Sequence, residues 1–217
     1  PDGGRVAGGG QTRFGSVSLE ASIFENKREL FVNGNKVSRA ADFVGNMNSV
    51  FFSPGELRLI QDGPDERRRF LNLSISQTSR EYCTALSRYQ RILDQRNNLL
   101  KERDSALVLE TLPVWDEQLA VYAARIVRHR RIFLAKLAPM AQEAHAYLTD
   151  GAEELGLGMD GTYPENEDEI AEKLVRQLAS ARERDLRLGF TSGGPHRDDI
   201  RITINGTHAR RSGSQGH

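Results

Sequence analysis

Residues 50–101 read VFFSPGELRLIQDGPDERRRFLNLSISQTSREYCTALSRYQRILDQRNNLLK, and the fold turns on the change of period inside this stretch. Val50, Phe51 and Phe52 form a short apolar run of the kind a buried strand uses, and Ser53-Pro54-Gly55 breaks it. Pro64, after Asp62-Gly63, predicts a helix start: the missing N–H falls where it would have no helical partner, and Asp65 and Glu66 suit the positive end of the dipole. From Ser79 onward, Tyr82, Leu86, Tyr89, Leu93 and Leu100 recur at steps of four, three, four and seven, which holds them on one narrow seam. Such a seam calls for one partner helix.

Toward the N-terminus the period is two. Val17, Leu19, Ala21 and Ile23 alternate with polar residues, and Leu30-Phe31-Val32 faces Lys36-Val37-Ser38 across Asn33-Gly34, a pair that tolerates positive φ and so favours a two-residue hairpin. Residues 15–53 are expected to be mostly antiparallel strand with one short helix near 40–44, and the glycine-rich residues 1–14 to be a flexible start.

Toward the C-terminus the helix from Ser79 is expected to reach residue 109, close to ~45 Å at about 1.5 Å per residue. Thr111-Leu112-Pro113 reads as a break, and from Trp115 a second amphipathic pattern runs through Leu119, Tyr122, Ile126, Phe133, Leu137 and Met140. Two long helices with a short connection should lie antiparallel, and Pro139 predicts a kink in the second. The glycine-rich residues 149–163 read as a turn-rich connection with a short strand around Leu155-Gly156-Leu157, and a third helix follows over 167–184, acidic at its start and basic at its end. Strands are expected again at 186–190 and 200–204, separated by Ser192-Gly193-Gly194-Pro195 and closed by Asn205-Gly206. Strands at both ends with helices between them make an α+β fold, one split β-rich domain interrupted by a helical arm, because either β piece alone is too small for a core.

The 217 residues carry 30 Lys and Arg against 30 Asp and Glu, so no net field draws the chain toward nucleic acid or an anionic membrane. Any such contact must come from a local patch. The single cysteine, Cys83, cannot form an internal disulfide, no apolar run approaches membrane-spanning length, and residues 1–10 lack the apolar core of a secretory signal. A cytoplasmic protein with no membrane partner is expected, and without an initiator methionine the chain reads as a piece of a longer one.

Four stretches could carry chemistry. Between Gln118 and Glu143 there is no acidic residue, and Arg125, Arg128 and Lys136 project from the same flank of the helix. They form either a phosphate-contacting strip for DNA or a solvated face whose acidic partners are Asp94, Glu102 or Asp104 on the paired helix. Gly194-Pro195-His196-Arg197-Asp198-Asp199 places a histidine beside two carboxylates; strand alternation aims Asp198 and Asp199 apart, so a turn with internal salt bridges competes with a metal-dependent nuclease site. Arg67-Arg68-Arg69 fans around a helix, with Asp65 and Glu66 as local partners. Ser214-Gln215-Gly216 is a small-residue turn able to offer N–H groups and a hydroxyl to a phosphate. No histidine has metal-ligand spacing to another His or Cys, no nucleophile grouping stands out, and the chain contains no G-x-x-x-x-G-K-[ST].

Taken in order, Asn33-Gly34, Phe52-Ser53-Pro54, Gly63-Pro64 with Arg67-Arg68-Arg69-Phe70-Leu71, Leu86-Ser87-Arg88-Tyr89 with Gln95-Arg96-Asn97, and Gly194-Pro195-His196-Arg197-Asp198-Asp199 resemble the RecF family of bacterial DNA replication and repair proteins. The resemblance covers nearly the whole chain after Gly15. It implies a split ATPase head of the ABC and SMC type with an inserted helical arm: residues 15–62 from the first lobe, 63–185 the arm, and 186–217 the start of the second lobe. It further implies an ATP-bound homodimer, with Mg²⁺, that binds gapped DNA or single-strand/double-strand junctions and assists RecA loading with RecO and RecR. Ser214-Gln215-Gly216 resembles the start of the signature turn that caps the partner subunit's ATP. The chain begins after the family's Walker A loop and stops before its Walker B carboxylate, which implies no ATP hydrolysis by this polypeptide alone. His217, Asn72 and Gly55 depart from the family's usual glutamine, aspartate and acidic residue. The place of a Q-loop, 52–57, holds no glutamine. A structural helical hairpin with no DNA or nucleotide role is the alternative.

Overall fold

The computed structural model of the chain describes residues 3–12, 15–24, 27–50, 53, 58–102 and 105–209. The chain divides into two compact units, Pro1–Phe52 with Leu73–Thr84, and Ser53–Asn72 with Ala85–His217.

The first unit is built on an antiparallel meander of β1 (Gly3–Thr12), β2 (Gly15–Phe24), β3 (Lys27–Val32) and β4 (Asn35–Val37), in that spatial order. Residues 3–12, read as a flexible start, instead pair with β2 from Gly3↔Phe24 to Thr12↔Gly15. Glycine has no side chain to pack, yet its backbone still supplies every ladder hydrogen bond, and composition alone does not register that. Asn33 (φ 51°) and Gly34 (φ 78°) form the expected two-residue turn between β3 and β4. The short helix near residue 40 is α1 (Ala40–Phe43). Asp42 on it takes the Nε of Arg39 at 2.8 Å and also pairs with Arg80. Two long helices pass through this unit, α3 (Pro64–Thr78) with its second half and α4 (Arg80–Leu99) with its first turns. Ile75 and Tyr82 are buried here, and Gln77 accepts the N–H of Ser49 at 2.7 Å.

The second unit holds α2 (Arg58–Gln61), the first half of α3, the rest of α4, α5 (Ser105–Leu148), β5 (Leu155–Asp160), α6 (Glu167–Leu188), β6 (Asp199–Ile204) and β7 (Thr207–His208). The helix expected to run from Ser79 to residue 109 ends at Leu99, and the break expected at 111–113 does not occur: Pro113 and Pro139 both lie inside α5. Val108, Leu112, Asp116 and Leu119 form one continuous buried face across Pro113, so packing outweighs the hydrogen bond that the proline removes. At 44 residues α5 is about 66 Å long. Phe133 meets Phe70, Arg130 meets Asn72, Asp116 meets Arg96 and Leu112 meets Leu100; the rising and falling numbers give the antiparallel pairing expected. Met140, placed inward by its spacing, is 67% exposed, because the buried face of α5 stops at Leu134.

Asn166 caps α6 by accepting the N–H of Asp168, and Gly189 ends it in the left-handed conformation (φ 70°). Residues 186–190, expected as strand, are therefore the last turn of this helix and its cap. The buried stripe Ile170, Leu174, Leu178, Ala181 and Asp185 carries the helical period to its end. β5, β6 and β7 form a second antiparallel sheet, and Asn205 (φ 51°) with Gly206 (φ 76°) makes the β6–β7 turn.

Candidate functional site

Below the glycine-rich turn that follows α6 lies a charged core. Arg96 on α4 is fully buried and donates from Nε to Asp116 at 2.7 Å, and from Nη1 to Asp185 at 2.9 Å and to the Thr191 hydroxyl at 2.8 Å. The second oxygen of Asp116 takes Arg182 at 2.8 Å, so two arginines neutralise two buried aspartates. Asp185 also accepts the N–H and the hydroxyl of Ser192, and Asn97 accepts the N–H and the hydroxyl of Thr191. The start of the turn is thus fixed by side chains from two helices, Arg96 and Asn97 of α4 and Asp185 of α6, with Asp116 of α5 holding Arg96 in turn. Charge-assisted bonds of this kind hold geometry more than they add net stability.

Sequence reasoning gave these residues no role, although a signal was present. Arg96 stands three residues after Leu93 and four before Leu100, on the same seam as the apolar residues of α4. A charged residue at a seam position is one that must find buried partners.

Further along the turn, His196 lies against Tyr89. Its Nε2 sits 3.1 Å from the carbonyl of Thr191, and a carbonyl only accepts, so Nε2 carries the proton. Nδ1 then accepts the Tyr89 hydroxyl at 2.5 Å. Burial holds the imidazole neutral, its pKa down at about 4, and burial likewise pushes the Tyr89 hydroxyl well above the ordinary phenol range. Gly194, with φ +124°, lies so close that a Cβ there would fall 2.8 Å from the Tyr89 oxygen.

Asp198 and Asp199 diverge. Asp199 is held by a fork from Arg67, Nε to Oδ1 at 2.7 Å and Nη2 to Oδ2 at 2.8 Å. Burial pushes its carboxyl up, but the Arg67 bonds and the Ile200 N–H outweigh that and leave it below the ordinary range. Asp198 accepts the Tyr163 hydroxyl at 2.7 Å, and burial raises its pKa. Both nitrogens of His196 and both oxygens of Asp199 are engaged, so the three side chains do not converge on one ion. Among the described residues no group of three or more His, Cys, Asp or Glu could hold a metal, which leaves Mg²⁺ without a described ligand set.

Of the arginine run, Arg67 also donates to the carbonyls of Leu59 and Asp62, Arg68 reaches the carbonyl of Asp198 and pairs with Asp65, and Arg69 lies 3.9 Å from Glu66. Asp65 and Glu66 are the local partners expected for the second and third. The partner of Arg67 lies 132 residues away.

On the arm strip, Arg125 and Arg128 stand 3.5 and 3.6 Å from Glu167 at the start of α6, a residue outside the acidic set considered from sequence. All three side chains are partly exposed, and such pairs contribute little to stability. Lys136 is exposed on the same helix. Ser214, Gln215 and Gly216 lie outside the described residues, and so do 54–57 of the Q-loop place.

The fold is mixed helix and strand, with antiparallel sheets toward both ends of the chain and long helices between them, and its match to solved structures gives the class, an ABC ATPase-like fold. No family model matches the chain. Its sequence is 37% identical over 200 residues to the DNA replication and repair protein RecF of Lachnoclostridium phytofermentans, covering 91% of this chain and 54% of that one. The RecF of Halothermothrix orenii is 38% identical over 207 residues, with 92% and 55% covered. A solved structure of the recombination mediator protein RecF with ATPrS in the RecFOR pathway matches with a TM-score of 0.88 at 31% identity, covering 100% of this chain and 60% of that one. A second, of RecF with ATP, gives 0.87 at 30%. The chain belongs to the RecF family, and it spans a little over half the length of the curated relatives it matches. No described helix is long and apolar enough to cross a membrane.

Proposed function

We propose that this chain is a segment of a cytoplasmic recombination mediator that binds gapped DNA or single-strand/double-strand junctions as an ATP-dependent homodimer and assists RecA loading together with RecO and RecR. The observation that carries the reading is the match, along the whole of this chain, to a RecF structure from the RecFOR pathway. In this reading residues 15–62 belong to the first lobe of the head, 63–185 to the arm and 186–217 to the second lobe. Ser214, Gln215 and Gly216 would face the ATP phosphates of the partner subunit, with the nucleotide and Mg²⁺ held by the rest of the protein. The charged core around Arg96 fixes the arm to the turn that opens the second lobe.

Arg125, Arg128 and Lys136 are the arm cations offered to DNA. Their exposed pairing with Glu167 favours a second reading, in which the strip is a structural face of the helical hairpin and DNA is met elsewhere. Titration of this chain into labelled gapped duplex at low salt tests the function. Binding that weakens with salt supports it, and no binding refutes a DNA role for this segment.

A further inference from the structure

A groove of about 620 Å³ runs between one face of α6 and the turn through Gly193 and Gly194. Lys173, Gln177, Ser180 and Arg184 line one side. At about 100° per residue these four positions fall within roughly 60° of one another, so they form a single row about 16 Å long. Arg197 and Asp198 line the groove as well.

The three cations keep donors to spare. Lys173 donates one N–H to the Thr162 carbonyl and rests over the Tyr163 ring at 5.6 Å. Arg184 uses only Nε, toward the Ser192 hydroxyl at 2.9 Å. Arg197 stacks on Phe190 at 5.0 Å, which covers a face of the guanidinium and leaves its edge for an acceptor. Among the described residues none of the three has a carboxylate partner, whereas Arg176 and Arg182 on the same helix are paired with Glu172 and Asp116. Among the described residues Asp198 is the one carboxylate lining the groove, and it already accepts the Tyr163 hydroxyl. In a chain whose charges balance overall, three cations against one carboxylate is a local excess.

The spacing identifies the ligand. Donors spread over about 16 Å cannot converge on one phosphate, but phosphates along one strand recur about every 3.4 Å of helix axis, so the row matches several in succession. We propose that this groove is a nucleic-acid backbone site in which Lys173, Arg184 and Arg197 contact phosphates spaced along one strand. The inference rests on the DNA-binding reading above and locates the contact on α6 in preference to the arm strip.

The test is fluorescence anisotropy of gapped duplex with the full chain across a salt series. Three variants run beside it: Lys173→Gln/Arg184→Gln/Arg197→Gln, Gln177→Glu, and Arg125→Ala/Arg128→Ala/Lys136→Ala. All the changed groove side chains reach solvent, and circular dichroism checks that each variant is folded. The groove triple is expected to make the log–log slope shallower by about two to three, near 0.9 per phosphate released, and Gln177→Glu to weaken binding at least severalfold. The arm triple is expected to leave the slope nearly unchanged. A slope altered only by the arm triple, or equally by both, overturns the groove while the DNA reading stands. Displacement by poly-glutamate at the same charge concentration as polynucleotide also overturns it, in favour of an acidic protein. No binding by the unmodified chain overturns both.

Discussion

Replacing Arg96 by methionine removes the one side chain that bridges Asp116, Asp185 and Thr191 while roughly keeping its apolar volume. Asp116 retains both contacts from Arg182, but among the described residues Asp185 is left with only Ser192 and no counter-charge, at zero exposure. Stranding a buried charge by removal of its partner costs about 3–5 kcal/mol, a large share of the ~5–15 kcal/mol that holds a typical domain together. Urea unfolding followed by fluorescence of Trp115, the single tryptophan and next in sequence to Asp116, reads this as a lower midpoint with little change in slope. In the Arg96→Met background, Asp185→Asn neutralises the stranded carboxylate and should recover about 1–3 kcal/mol. Arg96→Lys, which keeps one charge, should fall between the parent and Arg96→Met. A loss below about 1 kcal/mol for Arg96→Met, or a double variant less stable than the single, would refute the view that this core is held by a mutually dependent set of charges.

Three other outcomes follow from the turn and the caps. His196 is neutral when folded, with a pKa near 4 against 6.5 when free, so the unfolded chain binds the extra proton and stability falls as pH drops from 6.5 toward 4. The decline is about 1.4 kcal/mol per pH unit and totals about 3 kcal/mol; His196→Gln, which can still both donate and accept, should lose that slope in chemical denaturation at stepped pH. Gly194→Ala forces an L side chain into φ +124° and against the Tyr89 hydroxyl, so thermal unfolding should show a loss of roughly 1–3 kcal/mol. Asn166→Ala deletes the acceptor for the Asp168 N–H at the start of α6 and should cost about 1 kcal/mol in the same measurement.

Local chemistry made much of this fold legible. Asn33-Gly34 and Asn205-Gly206 both close hairpins because the required positive φ is written in those residues. The acidic start and basic end of α6 marked a helix, although its last turn was mistaken for strand where Gly189 alone signals the stop. Pro113 misled because a local rule met a continuous buried face that only the folded chain reveals. The polar contacts were the least accessible. Asp199 and Arg67, or Arg96 and Asp185, are far apart in sequence, and nothing near Arg67 favours Asp199 over Asp65 or Glu66. Strand alternation already set Asp198 and Asp199 apart and left a salt-bridged turn competing with a metal site, but not the partners: His196 turns to Tyr89, Asp198 to Tyr163 and Asp199 to Arg67. Arg96 could have been singled out by its seam position, but its partners could not.

On the proposed reading this segment meets the phosphate backbone through a small, localised set of cations, although the chain as a whole carries no net charge. The slope of log Kobs against log salt for the unmodified chain on gapped duplex tests it most directly. Two to three phosphate contacts predict a slope between about −2 and −3. A slope indistinguishable from zero, or no binding at the lowest salt, would contradict it.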